Sequence, residues 1–311
     1  MRAVIQTQFG EPDVLHLAEV PDPKPLPTEV VVRVHATSYN PVEAFIRDGR
    51  FPLLGEPPFI LGWDLSGVVE EVVPGTNRFK PGDEVFGMPF FPRAAATYAE
   101  KVAAPSRQLA LKPRSLSHEQ AAGLPLAGLT AWQSLVDVAS VQPGDRVLIH
   151  AGAGGVGHLA IQIAKARGAY VLSTASARNI DFVRGLGADE VIDYTAVDFA
   201  TTVRDIDLVL ETVGGDYGER SLRTLREDGL LITIVERLNA DLKARAEASG
   251  KRFAGLSVEP DVVGLEALAA LADAGQLSVH IDRIVPFARA AEAHRPVQSA
   301  RGKTILKVID K

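Results

Sequence analysis

Cysteine is absent from this sequence of 311 residues. The chain can therefore form no disulfide, has no thiolate nucleophile and cannot build a zinc or iron–sulfur site on cysteine ligands. Histidine is scarce, and none of the 7 histidines stands at metal-ligand spacing from another type of ligand. We therefore expect no metal site in this protein.

Long apolar runs and an excess of positive charge are also missing. No stretch of about 18 apolar residues occurs, and the first residues, MRAVIQTQ, turn polar too early for a signal peptide. Lysine and arginine total 33 against 39 aspartates and glutamates, which gives a formal net charge of -6. This composition argues against a membrane span and against a nucleic-acid surface, and it predicts a cytoplasmic globular protein.

A glycine-rich loop lies between a strand pattern and a helix pattern. Residues 147–149 are apolar, Gly152, Gly154 and Gly157 follow, and apolar residues with helical spacing come next. A second strand pattern at Tyr170–Thr174 completes a βαβ unit, the context in which G-x-G-x-x-G predicts dinucleotide binding. The alternative, an idle strand-to-helix turn, is disfavoured because three correctly spaced glycines rarely coincide with such a unit.

Two regions of the chain have different patterns. Short strand-like segments separated by Gly and Pro turns fill residues 1–111, whereas strand and helix patterns alternate over residues 117–257. Ser117 and Gln120 form a capping-box signature where helical patterning begins. We expect a final strand, Lys303–Ile309, to return to the N-terminal region.

These patterns predict an α/β fold with two domains. Residues 1–121 and 259–311 are assigned to a β-rich, barrel-like domain. Residues 122–258 are assigned to an inserted, doubly wound domain, because alternating strands and helices are typical of an open parallel sheet.

Six motifs resemble, in order and spacing, the zinc-independent quinone oxidoreductase branch of the medium-chain dehydrogenase/reductase superfamily, to which zeta-crystallin belongs. They are SYNPVE (38–43), GWDLSGVV (62–69), PGDEV (81–85), GLTAW (128–132), AGAGGVG (151–157) and GK (302–303). The resemblance implies a GroES-like first domain and a Rossmann-type inserted domain. Zinc-containing relatives carry Gly-His-Glu where this chain has Trp63 and Asp64, and we interpret Asp64 as a hydrogen-bonding residue.

The resemblance assigns roles to four candidate catalytic residues, Asn40, Tyr39, Phe51 and Thr130. Asn40 stands where relatives of the quinone reductase type keep Asn and zinc enzymes keep Cys, so its amide could polarise a substrate carbonyl oxygen or bond the nicotinamide amide. A turn asparagine before Pro41 is the alternative. The hydroxyl of Thr130 would meet the nicotinamide side of the cofactor, or the residue only packs within its helix.

Phe51 bears on the choice of substrate. Enoyl-thioester reductases that resemble this family use a Tyr at the corresponding position to protonate the carbon next to the carbonyl, and a phenyl ring has no such proton. Phe51 is then an apolar wall for a flat ring, with Tyr39 as an alternative donor. Quinone reduction demands less, because hydride addition leaves an oxyanion that water can protonate.

The expected cofactor is NADPH. NAD enzymes carry an acidic residue about 20 residues past the glycine loop, whereas residues 173–179 contain no carboxylate. Ser176 and Arg178 could bind a 2′-phosphate, and Tyr194 stands where relatives place a further phosphate contact. The expected cofactor contacts are Asn40, Thr130, Gly152, Ala153, Gly154, Gly155, Val156, Gly157, Ser176, Arg178, Tyr194, Val213 and Gly214.

The function that these expectations favour is NADPH-dependent, metal-free hydride transfer to quinones or other activated α,β-unsaturated carbonyl compounds. An enoyl-thioester reductase is the alternative within enzymes. An NADPH-binding structural or regulatory protein with little catalysis, like the lens crystallins that resemble this family, is the alternative of another class. The resemblance also implies a homodimer paired through an edge strand at Arg252–Ser257.

Overall fold

The computed structural model describes residues 1–297 and 300–309. Its strands are β1 (Arg2–Gln6), β2 (Leu15–Glu19), β3 (Glu29–Tyr39), β4 (Phe59–Ile60), β5 (Leu65–Val72), β6 (Glu84–Gly87), β7 (Lys101–Pro105), β8 (Leu109–Leu111), β9 (Arg146–Ile149), β10 (Tyr170–Ala175), β11 (Glu190–Asp193), β12 (Ile206–Glu211), β13 (Leu225–Thr233), β14 (Arg252–Gly255), β15 (Ile281–Pro286) and β16 (Lys303–Lys307). Its α-helices are α1 (Pro41–Arg47), α2 (His118–Ala122), α3 (Pro125–Trp132), α4 (Gly157–Ala166), α5 (Ile180–Gly185), α6 (Phe199–Thr202), α7 (Tyr217–Leu222), α8 (Ala240–Ala248), α9 (Val262–Asp273) and α10 (Ala290–Ala293).

The chain divides into two compact units. The first contains residues 1–129, 259–275 and the residues after Ser278, and the second contains residues 130–258 and 276–278. The first division, at 129/130, therefore lies beyond the expected position 121/122, whereas the second falls at the expected position 258/259 and residues 276–278 return to the second unit.

Two sets of hydrogen bonds account for the later position of the first division and for the short segment 276–278 in the second unit. The start of α3 is fastened within the first unit, because the Leu126 amide donates to the Asp64 carboxylate at 2.7 Å. In the second unit the Gln162 side chain accepts a hydrogen bond from the Ser278 amide at 2.8 Å and donates to the Ser278 carbonyl at 3.0 Å.

The long strand β3 organises the first unit. It pairs antiparallel with β5, β7 and β16 in a seven-stranded sheet, while β1, β2 and β4 form a second sheet. Val30, Val32, Val34 and Ala36 of β3 are fully buried, which places this strand in the core. The pairing of β16 with β3 confirms that the final strand returns to the N-terminal region.

The second unit is built on a parallel six-stranded sheet in the order β11-β10-β9-β12-β13-β14. This is the strand order of a doubly wound dinucleotide-binding fold, and it reverses between β9 and β12, where such sheets bind ligands at their carboxyl edge. The predicted Rossmann-type domain is confirmed.

Local helix signals were read correctly in one place and missed in another. The Ser117 hydroxyl accepts from the Gln120 amide at 3.2 Å, and the Gln120 side chain accepts from the Ser117 amide at 3.1 Å, so the predicted capping box begins α2. The helix α1 was not predicted. None of the helices in the described part of the chain combines the length and apolar character that a bilayer span requires.

Candidate active site

The glycine loop of the second unit is held against the neighbouring strand β10. The Gly152 amide donates to the Thr174 carbonyl at 3.0 Å, and the Ala151 amide donates to the Thr174 hydroxyl at 3.2 Å. A further turn bond runs from the Gly154 amide to the Ala151 carbonyl at 2.8 Å. These bonds fix the path of the chain from β9 to the N-terminus of α4.

Two of the three motif glycines are required by close packing. A Cβ on Gly152 would lie 2.1 Å from the Ser173 hydroxyl oxygen, and a Cβ on Gly157 would lie 2.3 Å from the Ala151 carbonyl oxygen. Gly154 is less crowded, with a nearest atom at 3.2 Å. A tight cradle that leads into a helix N-terminus, where backbone N–H groups lack intrahelical partners, fits the pyrophosphate of a dinucleotide.

Ser176, Arg178 and Tyr194 come together at the carboxyl edge of two neighbouring strands. Ala175, the last residue of β10, pairs with Asp193, the last residue of β11, and the Tyr194 amide donates to the Ala175 carbonyl at 3.2 Å. Arg178 is exposed, and Tyr194 is 45% exposed. A ligand bound at this edge is thus within the reach of a hydroxyl, a guanidinium and a phenol.

Asp193 is an acidic residue at this edge that the sequence analysis did not consider. Its carboxylate accepts hydrogen bonds from the Thr195 hydroxyl at 2.6 Å and from the Thr195 amide at 2.9 Å, and these bonds lower its pKa. The carboxylate is therefore charged at neutral pH and committed to its own turn.

Val213 and Gly214 follow β12 at the same edge, but their backbone N–H groups are already engaged. Both donate to the buried Glu211 carboxylate, the Gly214 amide at 2.6 Å, and the Thr233 hydroxyl donates to the same carboxylate at 2.8 Å. The backbone N–H groups of Val213 and Gly214 are therefore not available to a cofactor. The groups that could still contact it are the exposed Val213 side chain and the backbone carbonyl oxygens. The sequence feature that could have indicated this bonding is Glu211, an acidic residue two positions before Val213.

His150 and His158, which flank the glycine loop, are both buried. The ring nitrogens of His150 lie 3.1 Å from the Thr174 hydroxyl and 2.9 Å from the Ser221 hydroxyl, and burial lowers its pKa to about 3. A neutral imidazole with both ring nitrogens within hydrogen-bond distance of hydroxyl groups is a packing group.

Asn40 of the first unit is a helix cap rather than a turn residue. It is the N-cap of α1, and the Glu43 carboxyl group accepts a hydrogen bond from the Asn40 backbone N–H at 2.9 Å. The sequence Asn-Pro-Val-Glu carries the signal for this helix start. It has a capping residue at Asn40, a proline at the first helical position and an acidic residue, Glu43, at the third helical position.

The side chain of Asn40 is buried and bonded at both ends. Its Nδ2 donates to Oδ2 of Asp64 at 2.8 Å, and its Oδ1 accepts from Nζ of Lys303 at 2.5 Å. Asp64 also accepts from the Ser38 hydroxyl at 2.5 Å and from the Leu126 amide at 2.7 Å. Asp64 is thus a hydrogen-bonding residue, and Lys303 of the Gly-Lys motif is a partner of Asn40 that was not predicted from the sequence.

The residues of this site do not fit a catalytic zinc ion. In the described part of the chain no group of three or more His, Cys, Asp or Glu side chains could hold a metal. Both oxygens of Asp64 already accept hydrogen bonds, and Trp63 is buried with its indole N–H donated to the Arg93 carbonyl at 2.7 Å.

The other three catalytic candidates lie on different elements. Tyr39 ends β3 and is half-buried, and burial raises the pKa of its phenol, with the Glu43 charge acting in the same direction. Phe51 is half-buried beyond the end of α1, and its amide donates to the Phe45 carbonyl at 2.9 Å. Thr130 is buried on α3 in the second unit.

Glu43 is a fully buried acid beside this site. Its Oε2 accepts from the Tyr98 hydroxyl at 2.7 Å, while its Oε1 has no hydrogen-bond partner among the described residues. Burial raises the pKa of Glu43 from 4.5 to about 8, against the opposing effect of its hydrogen bonds. Glu43 therefore keeps its proton at neutral pH.

We expect the Glu43→Gln substitution to remove a pH dependence of stability. The folded chain holds the Glu43 proton up to about pH 8, whereas the unfolded chain releases it near pH 4.5, so the free energy of unfolding falls as the pH rises across this window. The linkage amounts to at most about 5 kcal/mol, and we expect a difference of at least about 2 kcal/mol between pH 5 and pH 8. Urea unfolding of both proteins at several pH values measures it.

The matched control for this experiment is Glu292→Gln, because Glu292 is an acid of the same unit with 43% of its side chain exposed. The free energy of unfolding of Glu292→Gln should change with pH in the same way as that of the wild type. If the free energy of unfolding of Glu43→Gln also changed with pH as that of the wild type does, Glu43 would be ionised in the folded protein and the expectation would be wrong.

Comparisons with known proteins bear on both units. Residues 26–114 match the family model described as alcohol dehydrogenase GroES-like domain, and residues 186–306 match the one described as zinc-binding dehydrogenase. The NAD(P)H oxidoreductase RTN4IP1, mitochondrial, of Danio rerio is 31% identical over 100% of this chain and 92% of its own length.

Solved structures agree with these matches. The quinone oxidoreductase of Coxiella burnetii superimposes with a TM-score of 0.92 at 38% identity, covering 99% of each chain. The Escherichia coli quinone oxidoreductase complexed with NADPH gives a TM-score of 0.88 at 26% identity, covering 99% of this chain and 100% of the other. The GroES-like character expected of the first unit is confirmed.

Proposed function

This chain belongs to the quinone oxidoreductase branch of the medium-chain dehydrogenase/reductase superfamily, and on that premise we propose that it reduces quinones or other activated α,β-unsaturated carbonyl compounds with NADPH and without a metal. Membership makes the chain an NAD(P)H-dependent oxidoreductase with a small-molecule substrate. The observation that carries the finer proposal is the Asn40 amide, which is held by Lys303 and Asp64 at a position where zinc enzymes keep a cysteine.

The cofactor would be held by residues of the second unit. The cradle from Gly152 to Gly157 would take the pyrophosphate, and Ser176, Arg178 and Tyr194 would take the ribose phosphate. Thr130 would meet the nicotinamide side. When bound, NADPH supplies the hydride.

Asn40 would stabilise the charge that develops on the acceptor. An amide nitrogen carries two hydrogens, and Asp64 accepts one of them, so the second can be donated to a carbonyl oxygen. A donor that is already oriented needs no reorganisation when an oxyanion forms. Water can then protonate the oxygen of a reduced quinone, and Phe51 offers an apolar surface to a flat ring rather than a proton.

We expect quinones to be reduced faster than enoyl thioesters. Comparison of 1,4-benzoquinone and 1,2-naphthoquinone with crotonyl thioester, each at saturating NADPH, should favour the quinones by roughly 100-fold, the usual contribution of a positioned proton donor that this chain lacks at position 51. The Phe51→Tyr variant, which restores a phenol there, should narrow the gap.

Two outcomes would count against the proposal. Faster turnover of the thioester by the wild type would indicate an enoyl-thioester reductase with another donor. Tight NADPH binding with no turnover of any acceptor would indicate a structural or regulatory protein.

We expect activity to be independent of metal ions, because the donor set around Asp64 is already occupied by hydrogen bonds. Prolonged dialysis against a strong chelator should leave kcat with a quinone within a factor of about 2 of the untreated value. Removal of a catalytic Lewis acid would cost several kcal/mol of transition-state stabilisation and would lower kcat far more than that. Stoichiometric zinc in the purified protein, with activity lost on its removal, would contradict the expectation.

Homodimerisation stays a prediction. The strand β14 is at one end of the described six-stranded sheet, and unpaired edges of this kind favour pairing with a second copy. The cytoplasmic location likewise stays a prediction.

A further inference from the structure

We propose that Lys303 and Asp64 are positioning residues that hold the Asn40 amide in one orientation and polarise it as a hydrogen-bond donor for the substrate oxygen. The inference rests on the proposed function, since it concerns how the same site stabilises the developing negative charge. Neither Lys303 nor Asp64 is assigned a contact with the substrate.

Three segments of the first unit bring these side chains together. Asn40 follows the last residue of β3, Asp64 precedes the first residue of β5, and Lys303 is the first residue of β16. Because β3 pairs with both β5 and β16, the three positions meet at one place in the sheet. All three side chains are buried, with exposed fractions of 2%, 0% and 3% respectively.

The charges on either side leave the amide only one favourable orientation. An ammonium group can only donate hydrogen bonds and a carboxylate can only accept them. With Nζ of Lys303 at 2.5 Å from Oδ1 and Oδ2 of Asp64 at 2.8 Å from Nδ2, a flipped Asn40 amide would face donors with its donor and acceptors with its acceptor. The amide is therefore oriented before any ligand arrives.

The surrounding groups explain how a lysine is tolerated in this interior. Nζ of Lys303 lies 3.7 Å from Oδ2 of Asp64, so the two buried charges offset each other. Burial lowers the pKa of Lys303, and the charge of Asp64 opposes that effect. The preceding Gly302 has φ +65°, and a Cβ there would lie 2.1 Å from the His280 carbonyl oxygen, so the entry to β16 requires glycine.

Polarisation follows from the same geometry. A hydrogen bond from a cation to Oδ1 draws electron density from the amide nitrogen and makes the remaining Nδ2–H a better donor. In a buried site the low dielectric constant strengthens this effect. Lys303 thus acts on the substrate oxygen through Asn40, and it keeps its hydrogen bond to Asn40 while it does so.

The first test observes the amide directly. The chain has four asparagines, at positions 40, 77, 179 and 239, so selective ¹⁵N labelling gives few side-chain amide signals. We expect the Asn40 NH₂ protons of the wild type to differ widely in chemical shift and to exchange slowly with water. In Lys303→Met the shift difference should shrink and exchange should accelerate at least about 10-fold, as expected when a buried hydrogen bond is lost. Lys307→Met, a change on the same strand, should leave both unchanged.

The second test is kinetic. Lys303→Met should lower kcat with a quinone by about 10-fold or more and leave the KM for NADPH unchanged, because a lost interaction of about 1.4 kcal/mol in the transition state corresponds to a tenfold change. If Lys303 acts through Asn40, the double variant Asn40→Ala with Lys303→Met should have the kcat of Asn40→Ala alone. Losses that multiply would indicate a structural role and would overturn the proposal.

The experiments also distinguish a variant that fails to fold from a failure of the proposed function. Should Lys303→Met fail to fold because Asp64 is left as an unpaired buried charge, Asp64→Asn combined with Lys303→Met removes both charges, and its amide signals should show the same loss of order. If the wild type reduces no acceptor, the proposed function fails, while the amide signals still decide the positioning inference. Unchanged Asn40 signals in the variants would overturn that inference.

Discussion

Replacing Gly157 with alanine should weaken NADPH binding by at least about 100-fold, because a displacement of about 1 Å in a binding element can cost that much. The added Cβ would lie 2.3 Å from the Ala151 carbonyl oxygen and 2.9 Å from the Gly152 Cα atom. Both are backbone atoms of the loop, so no side chain can rotate away, and the loop must move relative to the N-terminus of α4. Titration of the protein's fluorescence with NADPH gives the dissociation constant.

Gly185→Ala is the matched control for this prediction. Gly185 is the last residue of α5 in the same unit, and a Cβ there would meet no atom within 4 Å. This variant should bind NADPH as the wild type does. Normal binding by Gly157→Ala would mean that the loop is not the pyrophosphate site, whereas equal losses in both variants would point to general destabilisation of the unit.

Replacing Arg178 with alanine should raise the NADPH dissociation constant by about 10-fold to 100-fold and leave NADH binding nearly unchanged. Hydrogen bonds to charged groups contribute about 1.5–3 kcal/mol, and only NADPH carries the 2′-phosphate that Arg178 is proposed to bind. Ser176 and Tyr194 lie at the same sheet edge, so part of the affinity should remain. Titrations at low and high salt should show a smaller difference at high salt, because exposed charges are screened.

Arg245→Ala supplies the comparison for Arg178→Ala. Arg245 is on α8 of the same unit, and its guanidinium is paired with Glu219. Its removal changes the net charge equally and should affect neither cofactor. Equal losses for NADPH and NADH in Arg178→Ala would refute the phosphate assignment. The charged Asp193 at this edge makes the result informative, because a cation is needed there to offset its repulsion of a phosphate.

The Rossmann-type unit was predictable because its signals are local. Glycines between a strand pattern and a helix pattern have a meaning within about 30 residues of chain, and alternation of strand and helix predicts a parallel sheet. The capping box at Ser117 and Gln120 spans four consecutive residues and was read correctly for the same reason. The capping signal at Asn40 and Glu43 was equally local, but α1 was overlooked because Asn40 was weighed only as a substrate or cofactor contact and, alternatively, as a turn residue before Pro41.

Hydrogen bonding limits what two of the candidate cofactor residues can contribute. Val213 and Gly214 do lie at the carboxyl edge of the sheet, yet the carboxylate of Glu211 takes their N–H groups. Whether a backbone amide is available for a ligand depends on where a buried acid two residues away directs its oxygens, and residue identity alone does not determine that.

The sequence by itself determined the two fold types, the glycine-rich loop and the candidate residues, since each follows from residue type and short spacing. Only the tertiary structure decided which groups hold the Asn40 side chain. Its partners Asp64 and Lys303 are 24 and 263 residues away along the chain, and strand pairing brings them within 2.8 Å and 2.5 Å of its two polar atoms. Contacts between residues so far apart arise from sheet register, which no local pattern encodes, and burial then shields these hydrogen bonds from water.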